Sequence, residues 1–183
     1  MVEIEKKYRL PAERLDEVEA ALKEIGATFE REDREENTIY RGEILDRTAS
    51  IIRIRRTERC SILTYKRRLE NQSDTKQQIE HETEIADPEA ADLIVRELGL
   101  TPRLVYEKKR KIWRRRDVEI VIDDLPFGLF MEIEGPITAI KEAEILLGID
   151  DLETEHETYP GLTARLGTRI GEVIEARFPK PST

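Results

Sequence analysis

The chain has 183 residues, 39% of them charged and 38% hydrophobic, with a net charge of −9, so one domain spanning 1–183 around a modest core is expected. That acidic balance excludes a general binder of nucleic acid or anionic membrane, while leaving room for a local basic pocket. The single cysteine, Cys60, excludes an internal disulfide and a cysteine metal cage; with no membrane-length apolar run and no signal-peptide pattern, a cytoplasmic protein with Cys60 as a small buried residue is expected.

Val2 to Leu10 alternates as a strand, projecting Glu3, Glu5, Lys7 and Arg9 from one face and Val2, Ile4, Tyr8 and Leu10 from the other. Pro11 opens a helix whose apolar stripe is Leu15, Val18, Leu22 and Ile25, with Gly26 suited to the C-terminal cap. Thr28 to Glu36 is densely charged and fits a strand twisting out of the sheet; Thr38 to Arg41 reads as a short strand and Gly42 to Ala49 as a turn.

Ser50 to Arg56 alternates again, with Arg53 and Arg55 on one face, and Ser61 to Arg68 aligns Thr64, Lys66 and Arg68. Glu70 to Lys76 reads as a mobile polar loop, followed by Gln78 to Ile85 with Glu80, Glu82 and Glu84 on one face. Asp87-Pro88-Glu89 is a strong helix start, with Leu93 and Leu98 expected inward and Gly99 ending the helix. Leu104 to Arg115 is a long basic strand that aligns Tyr106, Lys108 and Arg110. Asp117 to Asp123, a turn at Pro126-Phe127-Gly128, and Leu129 to Glu134 form the clearest hairpin. Ile137 to Leu147 is a helix closed by Gly148, and Gly161 to Phe178 reads as a terminal helix.

The strand faces carry ordered charge: Glu3, Glu5, Glu82, Asp123, Glu132 and Glu134 against Lys7, Arg9, Arg53, Arg55, Lys66 and Arg110. If these faces point outward, the apolar faces fill a barrel; if inward, the apolar faces need a jacket of helices. The inward arrangement demands compensation, because buried charges must be paired or bound to ions. Glu-x-Glu pairs on two strands, with Asp123, offer oxygen ligands to Mg²⁺ or Mn²⁺. Arg53 and Arg55 present forked donors suited to phosphate oxygens, and Lys66 and Lys7 add point charges. His81 and His156 read as packing or surface residues, and Trp113 as packing on the outer face.

Glu3-Ile-Glu5-Lys-Lys7, followed in order by Arg53-Ile-Arg55, Lys66, Glu82-Thr-Glu84, Glu107-Lys-Lys-Arg110, Ile122-Asp123 and Phe130-Met-Glu132-Ile-Glu134, resembles the CYTH superfamily of triphosphate tunnel metalloenzymes. The resemblance implies an α+β fold, an eight-stranded antiparallel barrel forming a tunnel with a charged interior, flanked by amphipathic helices. It implies one or two divalent metals, Mg²⁺ or Mn²⁺, on Glu3, Glu5, Asp123, Glu132 and Glu134. Lys7, Arg9, Arg53, Arg55, Lys66 and Arg110 would bind the phosphates, and Lys7, Glu5 and Glu134 would act in catalysis. Glu82 and Tyr40 would be tunnel residues without an assigned role. Ile39 stands where some triphosphatases have a tyrosine, Gln78 and Glu80 stand near a position often held by arginine, and Arg9 and Tyr159 resemble elements of the cyclase branch.

The expected activity is metal-dependent hydrolysis of an inorganic or organic triphosphate such as tripolyphosphate or ATP, by a monomer or homodimer with no nucleic-acid or membrane partner. The alternatives are an adenylate cyclase that makes cyclic AMP and pyrophosphate, and a non-catalytic polyphosphate- or nucleotide-binding module.

Overall fold

A computed structural model describes residues 2–69 and 76–179, without the side chains of residues 2, 3, 76 and 77. Apart from the backbone of Lys76, the predicted mobile loop lies outside the described residues. Strand β1 (Val2–Leu10) leads through a short 3₁₀ turn to helix α1 (Leu15–Glu24), then to β2 (Thr28–Arg41), α2 (Glu43–Arg47), β3 (Ser50–Arg56) and β4 (Ser61–Leu69). There follow β5 (Lys76–Ile85), α3 (Pro88–Glu97), β6 (Thr101–Arg115), the hairpin β7 (Val118–Leu125) and β8 (Gly128–Glu134), and α4 (Ile137–Leu147). Helix α5 (Tyr159–Leu166) and the small hairpin β9 (Thr168–Ile170) and β10 (Val173–Ala176) complete the described chain.

The strands pair in the order β2-β3-β4-β5-β1-β8-β7-β6, and β2 also pairs with β6, so the sheet curls back on its own first strand. The eight-stranded antiparallel barrel expected from the sequence is therefore present, with β10 added in parallel to Leu104–Tyr106 of β6. Each strand turns one face into the curl, and helices cover much of the outer surface.

The outer faces carry the apolar core. Tyr8, Leu10, Trp113, Ile120, Ile122, Met131 and Ile133 pack with Val18 and Leu22 of α1 and Ile140, Ala143 and Leu147 of α4. Tyr40 and Ile54 pack with Leu45 of α2 and Val95 of α3. Leu22 is fully buried, and removing a leucine of this kind from water contributes about 1.5–3 kcal/mol. Trp113 stands edge-on to Phe29 as a packing residue, and His81 is exposed beside Tyr65.

Several elements depart from expectation. Residues 28–41 form one continuous strand, because the charged run of β2 faces the basic run of β6: Glu32 opposes Lys111, Asp33 opposes Arg110 and Glu35 opposes Lys108. Opposite charges directly across a ladder stabilise it. The expected turn at 42–49 contains α2. The expected terminal helix stops at Leu166, and β-branched Thr168, Ile170, Val173 and Ile174 form strands around Gly171, whose φ of 62° suits glycine. On α3 the inward residue is Val95, while Leu93 and Leu98 are exposed. Cys60 is only partly buried, in the β3–β4 turn, where Thr57 accepts its backbone N–H. The Asp87 side chain accepts from the Ala90 N–H and caps α3 as the sequence predicts. No described helix is long and apolar enough to cross a membrane.

Candidate active site

The inner faces bring together the charges that the alternating strands carry. Lys7, Arg53, Glu80, Lys108, Asp123 and Glu132 are all buried, Lys7 to 1% exposure and Asp123 to 0%. All of these but Asp123 line a cavity of about 600 Å³, together with Glu5, Arg55, Lys66, Glu82, Arg110, Glu119 and Glu134. Charges survive in such a place only when paired, and here the pairing is dense.

Arg110 holds Asp123 with both donors, Nε to Oδ1 at 2.7 Å and Nη2 to Oδ2 at 2.6 Å, and Nη2 also reaches Glu132 at 2.8 Å. Tyr159 donates its hydroxyl to Asp123 at 2.7 Å. Lys108 stands between Asp123 at 3.5 Å and Glu35 at 3.3 Å. Arg53 reaches Glu82 at 3.0 Å and Glu80 at 3.3 Å, Arg55 lies 3.5 Å from Glu82 and 3.7 Å from Glu35, and Lys66 pairs with Glu80. Lys7 donates to the Glu157 carbonyl at 2.8 Å, lies 3.6 Å from Glu132 and points at the Tyr159 ring, 3.8 Å from its centroid. This is a basic belt, preloaded with carboxylates.

Burial shapes its protonation. Desolvation and the neighbouring Arg110 push the Lys108 ammonium down to about 8. Burial raises the Glu35 carboxyl, but Lys108 and Arg55 overcome it and hold that group well below the usual carboxylate range. Burial, then Asp123, drive the Tyr159 hydroxyl well above its ordinary value, which keeps it a donor.

On one side of the belt lies an acidic row. Glu5 of β1 pairs in register with Glu134 of β8, and Glu134 with Glu119 of β7, so three carboxylates sit side by side across adjacent strands. Burial and the charges of Glu119 and Glu5 raise Glu134 to about 7. Like charges crowded beside a basic belt are what a hard cation relieves, and the donors are all oxygen. Among the described residues no three such groups stand as a ready-made cluster. Glu5 and Glu134 are nonetheless chemically suited to hold a divalent ion. Glu3 also belongs to β1, and its side chain lies outside the described residues.

Of the predicted site residues, Glu5, Lys7, Arg53, Arg55, Lys66, Glu82, Arg110, Glu132 and Glu134 line the cavity. Asp123 lies beneath Arg110 and Tyr159, its oxygens committed to those donors. Arg9 is turned away, paired with Glu155 and held over the Phe130 ring. Tyr40 is not in the tunnel; its parity is opposite to Ile39, and its hydroxyl donates to Asp92 under α3. Sequence reasoning left out Glu35, Lys108 and Glu119. Lys108 shares the face of Tyr106 and Arg110, and Glu119 the face of Asp123, so strand parity alone pointed to both. Glu35 was hidden in a charged run whose partner strand was unknown.

Fold and lining together define a curled antiparallel barrel in which strand-borne charges converge on one cavity. The CYTH domain model matches residues 1–159, and the chain belongs to the CYTH family. It is 31% identical over 153 residues to a Methanocaldococcus jannaschii protein named "Putative adenylate cyclase", covering 80% of this chain and 84% of that one. A Pyrococcus horikoshii structure superposes with a TM-score of 0.72 at 25% identity, covering 89% and 98% of the two chains. A Hippeastrum structure, described as revealing a dominant triphosphatase activity, superposes with a TM-score of 0.68 at 18% identity, covering 89% and 95%.

Proposed function

We propose that the chain is a divalent-cation-dependent enzyme acting on a linear triphosphate, with hydrolysis to release phosphate as its main reaction. The observation that carries this reading is the convergence of Lys7, Arg53, Arg55, Lys66, Lys108 and Arg110 on one cavity whose far side is the Glu5–Glu134–Glu119 row. Forked guanidinium groups and ammonium groups replace the hydration of phosphate oxygens, and positioning plus charge stabilisation is most of what phosphoryl transfer requires.

Arg53 and Arg55 exchange their contacts with Glu80, Glu82 and Glu35 for phosphate oxygens. Lys7, one strand step from Glu5, holds the phosphoryl group nearest the acidic row, and its bond to the Glu157 carbonyl fixes its direction. Asp123, through its bonds from Arg110 and Tyr159, fixes the Arg110 fork. Glu5 and Glu134, with Glu3, would hold Mg²⁺ or Mn²⁺, which supplies charge neutralisation on phosphate oxygens and an acidified water when bound.

The second reading is adenylate cyclisation, favoured by the name of the M. jannaschii relative and by an apolar stretch of the cavity lining. Incubation with tripolyphosphate and with ATP, with Mg²⁺ or Mn²⁺ and with chelator, separates the two. Orthophosphate that disappears with chelator supports hydrolysis; cyclic AMP with pyrophosphate supports the cyclase; product from neither substrate sinks both. Glu134→Gln is expected to lower metal-dependent turnover by about 100-fold or more while leaving the circular-dichroism spectrum intact, and unchanged turnover would remove Glu134 from the cation site.

A further inference from the structure

Residues 153–157, between α4 and α5, read Glu-Thr-Glu-His-Glu and continue the alternation of the strands without joining the barrel order. They lie antiparallel beside β1, beyond the Val2–Glu5 stretch that the described part of β5 pairs. Arg9 donates its backbone N–H to the Glu153 carbonyl at 2.9 Å, Tyr8 bridges Thr154, and Glu155 donates its N–H to the Lys7 carbonyl at 2.8 Å. Leu152 and Tyr159, both buried, anchor the two ends of this strap.

The polar groups of the strap form a chain of bonds that ends on Lys7. Arg9, resting over the Phe130 ring, grips one carboxylate oxygen of Glu155. The other oxygen accepts the Glu157 N–H at 2.7 Å, and the Glu157 carbonyl accepts Lys7 Nζ at 2.8 Å. That last bond is shorter than the 3.6 Å approach of Lys7 to Glu132. Arg165 of α5 holds the Glu157 carboxylate at 2.8 Å, so Glu157 is pinned by its side chain, its N–H and its carbonyl. Glu155 is only 8% exposed, and a carboxylate is tolerated at such burial only when its oxygens are satisfied. Burial raises its carboxyl, but the Glu157 N–H, Arg9 and Lys7 hold it below its ordinary value, so it stays an acceptor.

We propose that Glu155 is a positioning residue for Lys7: clamped by Arg9, it orients the Glu157 backbone, whose carbonyl aims the Lys7 ammonium at the phosphoryl group. This rests on the triphosphate reading of the site. Arg9 thereby takes part in the reaction without touching substrate. A lysine stem is long and flexible, and an ammonium aimed in advance has less freedom to lose when phosphate arrives. Two simpler roles predict different outcomes. Were Glu155 only a negative charge near Lys7, its removal would strengthen the binding of an anion. Were it only a brace for the fold, its removal would act equally with and without Lys7.

Calorimetric titration of the whole protein with tripolyphosphate in chelator measures binding without turnover. Glu155→Ala is expected to weaken binding by about tenfold, and Lys7→Ala by at least as much. In the Lys7→Ala background, Glu155→Ala should have no further effect. Glu155→Gln keeps an oxygen for the Glu157 N–H and should recover most of the loss. Arg9→Ala, at a partly exposed position, should weaken binding in the same Lys7-dependent way and replaces Glu155→Ala if that variant does not fold. A Glu155→Ala protein that binds as tightly as the parent or more tightly, or a loss that persists undiminished without Lys7, overturns the proposal while the triphosphate reading stands. A parent protein that does not bind tripolyphosphate, or a Lys7→Ala variant of unchanged affinity, overturns both.

Discussion

Two residues give the site a pH signature of opposite signs. Glu134 is raised from an ordinary 4.5 to about 7 by burial and by Glu119 and Glu5. The folded protein therefore binds the extra proton between those values, and stability falls as pH rises from about 4.5 to 7. Lys108 is lowered from 10.5 to about 8 by burial and Arg110, so the unfolded chain binds the extra proton there and stability rises between about 8 and 10.5. Denaturant titrations in chelator across these ranges should show both slopes. Glu134→Gln should flatten the first and leave the second, and a first slope that persists in that variant would assign it to other groups. At this scale the sequence was most informative where parity decides: Glu5, Lys7, Arg53, Arg55, Lys66, Arg110, Glu132 and Glu134 all face the cavity as their alternation requires. It was least informative where a neighbour decides, since only the fold brings Glu155 to Arg9.

Among the elements, α5 ties the C-terminal segment to the site, because Thr158, Tyr159, Pro160, Gly161 and Ala164 all line the cavity. Leu162 anchors that helix, fully buried against Ile39, Tyr106, Phe130 and Tyr159. Leu162→Ala should destabilise the protein by about 2–5 kcal/mol and loosen Tyr159 from Asp123. Thermal unfolding gives the first quantity and binding of tripolyphosphate the second; a variant as stable as the parent would show that α5 rests on the barrel without anchoring it. The helix α3, the β7–β8 hairpin and α4 were readable because capping and turn residues act locally, as with Asp87 and Gly148, whose φ is 62°. The run 28–36 was not, because its order comes from a partner strand, β6, distant in sequence: Thr28 pairs with Arg114 and Glu36 with Glu107. The tail was misread as a helix because spaced apolar residues over a short span fit both periods, and pairing with Leu104–Tyr106 settles the matter in favour of a strand.

For the whole molecule, a site built of buried, mutually paired ions links ligand and fold. An anion that binds only the assembled belt stabilises it by mass action, about 2.7 kcal/mol at a hundred times its dissociation constant. Tripolyphosphate should therefore raise the melting temperature in low salt, and the shift should shrink as ionic strength rises. A melting temperature indifferent to tripolyphosphate would contradict the phosphate-binding role of the belt. The choice between charge-inward and charge-outward sheets, open on residue patterning alone, is settled by jacketing: α1 and α4 cover one apolar flank and α2 and α3 another.

The pairing order also bears on how the molecule comes into being. Lys7 finds Glu132 and Glu5 finds Glu134, so the opening strand emerges from the ribosome long before that neighbour is synthesised. An oily strand kept waiting so long invites aggregation; one that bristles with glutamate and lysine stays hydrated. The glutamates and lysines that line the chamber are, on that waiting strand, charges that oppose edge-to-edge association.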